Sequence, residues 1–71
     1  MEVTLTPTQF SEYTQALYAR VKSERPGSEY HQAARQAIAQ ATNATTERGE
    51  ITIRPYRSTL AVVADALDAV D

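Results

Sequence analysis

The stretch Glu50-Ile51-Thr52-Ile53-Arg54-Pro55 alternates apolar with polar residues and stops at a proline. Ile51 and Ile53 fall on one face and Thr52 and Arg54 on the other, the period-2 signature of a half-buried strand. Pro55 keeps Arg54 out of the helical region and closes the run. The N-terminus carries an echo, Glu2-Val3-Thr4-Leu5-Thr6-Pro7, again an alternating run that meets a proline. Each copy reads as a short strand followed by helix-forming sequence. Two strands at opposite ends of the chain must then pair, either within one chain or between two copies. Pairing within one chain is the favoured arrangement.

Working outward from the first copy, Thr6-Pro7-Thr8-Gln9 is a helix start. Thr6 is a good N-cap, Pro7 fits the first helical position, and Gln9 completes the capping-box spacing. Phe10, Tyr13, Leu17 and Val21 follow at intervals of 3, 4 and 4, one face of an amphipathic helix ending near Ser23. Tyr18 lies on the flank of that stripe, where a ring is half-buried with its hydroxyl in water. Arg25-Pro26-Gly27 breaks the helix, and Ser28 caps a second, alanine-rich one. Its expected buried face is Tyr30, Ala34, Ala37, Ile38 and Ala41. Fraying is expected within Asn43–Thr46, with Gly49 as terminator. After the second strand, Ser58 is the expected cap of a last helix. There Leu60, Val63, Leu67 and Val70 recur at 3, 4 and 3, the spacing of a helix-packing seam.

The expected fold is therefore α+β and helix-rich, β-α-α-β-α, with three helices and a small two-stranded ribbon. It forms one domain over residues 1–71, with an acidic helical C-terminus at 59–71. A chain of 71 residues buries only about 60% of its unfolded surface, so its core needs a supplement. Cysteine is absent, which removes disulfides and thiolate metal sites. Self-association is then the expected supplement, and the seam Leu60, Val63, Leu67, Val70 either closes the core or joins two copies. Core packing is its favoured role.

Charge narrows the classes of function. The net charge is −2, yet residues 59–71 hold three aspartates and no base, while the rest carries a slight excess of bases. A generally basic nucleic-acid binder does not fit this balance. No apolar run approaches the roughly 18 residues of a membrane span. No secretory signal is read at the N-terminus, and a cytoplasmic location is expected.

No catalytic group is expected. His31 is the single histidine and has no nucleophile or orienting carboxylate at a recognisable spacing. Two glycines cannot build a phosphate-binding loop, and one histidine without cysteine cannot build a zinc site. Asp65 and Asp68 share a helical face but supply too few ligands for a cation, so they read as a solubilising acidic end or a patch for a basic surface. Gln32, Gln36, Gln40 and Asn43 make an amide stripe with Arg35 at its edge; such groups can read bases in the major groove, but with Lys22 the single lysine the stripe reads first as a solvated face, with a polar protein interface also open to it. No cofactor and no small-molecule substrate are inferred.

The densest basic group, Arg48, Arg54 and Arg57, surrounds the second strand. With Thr52 and Tyr56 it is the expected partner-binding surface, where an exposed strand edge is free to extend another sheet. A ribbon presenting Thr and Arg is also a mode of reading DNA. Here the pattern resembles that of the ribbon-helix-helix repressors, whose strands pair between subunits in the groove. Residues 3–41 resemble that layout too: strand, proline-started helix, Gly-Ser break, second helix. The chain departs from it in that Glu2, Thr4 and Thr6 supply no basic or amide group, and only one helix follows the second strand. The leading expectation is a non-enzymatic regulatory or interaction protein of inhibitor or adaptor type, homodimeric, with a protein partner. The alternative is a sequence-specific DNA-binding regulator using a paired ribbon. Small stand-alone chains of this kind are frequent in phage and mobile elements, an association that rests on size alone.

Overall fold

The computed structural model describes residues 2–70. Strand β1 is Val3–Leu5, helix α1 is Pro7–Ser23, helix α2 is Glu29–Thr42, and strands β2 and β3 are Thr45–Glu47 and Glu50–Ile53. A single 3-10 turn, Arg57–Thr59, leads into helix α3, Leu60–Asp68. The class is α+β and helix-rich, as the sequence implies, with one strand more than expected.

The helix starts follow the local chemistry. Gln9 N–H donates to the Thr6 hydroxyl at 3.2 Å and Thr6 N–H donates to Gln9 Oε1 at 3.0 Å, a closed capping box with Pro7 at the first helical position. Ser28 accepts from His31 N–H at 3.2 Å and starts α2. Between the helices Gly27 takes φ 87°, a left-handed value that a Cβ would strain.

The extra strand corrects the expectation for residues 43–49. Asn43 does end α2, but the chain then extends as β2 and folds back on β3. Arg48 and Gly49 take φ 53° and 80°, positive at both central positions, as a two-residue type I′ hairpin requires. Gly49 therefore serves the hairpin and does not terminate a helix. The signal is weakened in the sequence because arginine stands where Asn or Asp is usual.

The strand order is β1-β3-β2, antiparallel throughout. Val3 pairs with Ile53, Thr4 with Thr52 and Leu5 with Ile51. The two echoed strands thus pair within one chain, as favoured. They do not form a two-strand ribbon, because β2 occupies the other side of β3. The strand edge expected at Glu50–Arg54 is consequently closed: β3 is central and regular only to Ile53.

The three helices and the inner sheet face share one core: Leu5, Tyr13, Leu17, Ala34, Ala37, Ala41, Ile53, Val62, Val63 and Ala66. Leu17 is fully enclosed, and its truncation to alanine would cost about 3 kcal/mol. Alanines on α2 let α1 and α3 approach its backbone closely. Burial also pushes the Tyr13 hydroxyl up to a pKa of about 12, because its charged form would lose solvation there.

Three packing expectations are corrected. Tyr30, on the expected buried face, is 46% exposed, because only the Arg20 guanidinium lies over its ring and the nearby α3 side chains, Ala61 and Val62, are small. Tyr18 is 55% exposed, further out than a flank position suggests. The α3 seam is rotated: Val62, Val63 and Ala66 are buried, whereas Leu60, Leu67 and Val70 are half-buried. Leu67 and Val70 still pack on the core from its edge. Ser58 does not cap α3, which is entered through the 3-10 turn. Its hydroxyl donates to Gln36 Oε1 at 3.4 Å, and the Thr59 hydroxyl donates to the Tyr56 carbonyl at 3.0 Å.

Candidate interaction surface

Alternation along the strands turns Val3, Leu5, Ile51 and Ile53 inward, leaving a polar outer face. Register lines up Thr4, Thr52 and Thr45 across the three strands. The hydroxyls of Thr4 and Thr52 lie 3.4 Å apart. One row along, Arg54 Nε donates to Glu2 Oε2 at 3.1 Å across β3 and β1, both side chains largely in water. At the hairpin end Glu47 stands directly opposite Glu50. Like charges in that arrangement repel modestly.

At the other end of β2 and β3 the surface dips into an open concavity of about 220 Å³, lined in part by Gln40, Asn43, Thr45, Thr52, Arg54 and Tyr56. Gln40 Nε2 donates to the Arg54 carbonyl, tying α2 to the end of β3. Tyr56 is 59% exposed on the rim.

This divides the expected partner surface. Thr52, Arg54 and Tyr56 are brought together. Arg48 sits in the hairpin turn, separated from Arg54 by the four residues of β3, about 14 Å of strand at ~3.4 Å per residue. Arg57 stands in the 3-10 turn before α3. The basic cluster of the sequence is therefore not one basic patch, and Glu2, Glu47 and Glu50 share the sheet face with Arg54. The amide stripe is largely engaged within the chain. Gln32 Nε2 reaches the Gly27 carbonyl at 3.3 Å, Gln36 accepts from Ser58, Gln40 holds Arg54, and Asn43 Nδ2 reaches the Ala39 carbonyl at 3.2 Å.

His31 is half-buried, and its Nδ1 accepts from Gly27 N–H at 3.5 Å, a contact that folds the interhelix turn. The acidic pair at the end of the chain separates by role. Both are exposed, but Asp65 is bound by Arg20 at 2.6 Å and Asp68 has no ion-pair partner among the described residues.

Sequence reasoning missed Arg20. Its guanidinium reaches Glu24 at 3.2 Å within α1, Asp65 on α3, and the face of the Tyr30 ring on α2, 5.6 Å from the centroid. The i,i+4 spacing of Arg20 and Glu24 is visible in the sequence, but the partners on α2 and α3 lie 10 and 45 residues away.

Among the described residues no helix is long and apolar enough to cross a membrane. No protein-family model matches this chain, and no curated protein or solved structure matches it significantly.

Proposed function

We propose that this chain is a small non-enzymatic interaction protein that acts in the cytoplasm by occupying a surface on a protein partner. The observation that carries this reading is the placement of aromatics. Tyr18 on α1, Tyr30 on α2 and Tyr56 in the link after β3 are 55%, 46% and 59% exposed, and Tyr56 shares a concavity with Arg54 and Thr52. A rigid, amphipathic ring beside an arginine is the composition that protein interfaces concentrate at their energetic centres. Fixing such a ring costs little entropy, since two torsions define it. The mechanism is then simple occupancy, which blocks or recruits the partner without chemical change.

The test is capture of partners from lysate on the immobilised chain, with and without nuclease. A stoichiometric protein that survives nuclease and is lost on Tyr56→Ala supports the reading. Recovery of nucleic acid alone would sink it and favour the DNA-reading alternative. That alternative predicts mobility shifts that weaken steeply with salt. It asks Thr52 and Arg54 to approach phosphates on a face that also carries Glu2, Glu47 and Glu50, an electrostatic cost the protein-binding reading avoids.

A further inference from the structure

We infer that the outward face of α3, with the turn before it, docks a second copy of this chain in antiparallel orientation. Ala61, Ala64 and Asp68 recur at intervals of 3 and 4 on one face of α3, Arg57 stands in the 3-10 turn just before that helix, and all four are exposed. Leu60 and Leu67 flank this stripe and are only half-buried. The face is thus apolar at its middle, basic at its start and acidic at its end. Neither Arg57 nor Asp68 has an ion-pair partner among the described residues, whereas Asp65, one turn before Asp68, is held by Arg20.

That polarity selects the occupant. A face with a base at one end and an acid at the other complements itself under a two-fold axis. Placing the axis between Ala61 and Ala64 sets each Ala61 against the second copy's Ala64 and each Arg57 level with the second copy's Asp68. Two reciprocal ion pairs form, and the two helix dipoles run antiparallel, which is the favourable sense. Alanine at the crossing lets the backbones approach to about 8 Å, so Leu60 and Leu67 can close over the contact from its flank. A short chain without disulfides gains most from such a supplement. A single helix pair buries less than a standard interface, so the dimer is a weak one that forms at high micromolar concentration. It differs from the seam read in the sequence, because Val63 and Val70 belong to the core side. It stands or falls independently of the Tyr56 surface.

Sedimentation equilibrium of the full chain tests the dimer directly. The weight-average mass should climb from 7.8 kDa towards twice that value as concentration rises. Arg57→Asp and Asp68→Arg should each weaken association about tenfold, since each turns two attractive pairs into repulsive ones. The double variant Arg57→Asp, Asp68→Arg should restore it. Both positions are exposed, so circular dichroism should show the same helical fold in all four proteins. A wild-type chain that stays monomeric at every concentration would overturn the proposal. So would a dimer indifferent to the single reversals, or a folded double variant in which association is not recovered.

Discussion

Arg20 and Asp65 meet at 2.6 Å, 45 residues apart in sequence, and the same guanidinium holds Glu24 and lies over Tyr30. One side chain of α1 thereby touches both other helices. The groups are partly solvated, Arg20 at 35% and Asp65 at 49% side-chain exposure, so the ion pair alone contributes about 0.5 kcal/mol after screening. The ring contact adds about 0.5 kcal/mol. Arg20→Ala should therefore lower unfolding stability by about 1–1.5 kcal/mol once the lost packing of its stem is included. Asp65→Ala should cost about half as much. Urea denaturation at low and high salt checks both, and the difference between wild type and variants should narrow at high salt.

The rotation of α3 makes a comparative prediction. Val63→Ala removes two buried methyl groups and should cost about 2 kcal/mol. Leu60→Ala removes a half-exposed side chain and should cost less than about 1 kcal/mol. The sequence seam treats these positions as equivalent. Equal losses in thermal or urea unfolding would contradict the packing described above.

Arg48 adopts φ 53° without the tolerance that Asn or Gly has for that region. Arg48→Asn should stabilise the hairpin by about 0.5–1 kcal/mol, seen as a higher urea midpoint with unchanged slope. If Arg48 also contacts a partner, the same variant will gain stability and lose binding, which separates its two roles.

Tyr13 sets an alkaline limit. Its pKa is raised from 10.0 to about 12 by burial, so the folded state keeps a proton that the unfolded chain releases. The unfolded state binds fewer protons between these values, and stability must fall as pH rises through this window. Below pH 10 the group contributes no slope. Tyr13→Phe should flatten the decline, and denaturation midpoints measured at pH 9 and above pH 11 provide the check.

Local signals were readable in the chain because their partners lie within four residues. The Thr6–Gln9 capping box, the Ser28 cap and the stop at Pro55 all behave as their side chains dictate. The pairing of Val3–Leu5 with Ile51–Ile53 was legible as an echo, and own-chain pairing was its favoured form. Strand β2 was hidden because Thr45–Glu47 is entirely exposed and has no apolar alternation to announce it. Of the candidate surface, the sequence could nominate Thr52 and Arg54 from strand alternation and Tyr56 as a flank of the strand. It could not separate Arg48 and Arg57 from them, since nearness in sequence looked like nearness in space.

Glu50-Ile51-Thr52-Ile53-Arg54-Pro55 by itself determined that an extended segment exists here, which residues face inward, and where it ends. Those properties follow from period-2 geometry and the proline ring. Tertiary structure decided that this strand is central, with β1 on one side and β2 on the other, so that both its edges are closed. It also decided which side of α3 is buried. Both depend on contacts between residues tens of positions apart, where backbone hydrogen bonding and close packing select one arrangement among several that the local pattern permits.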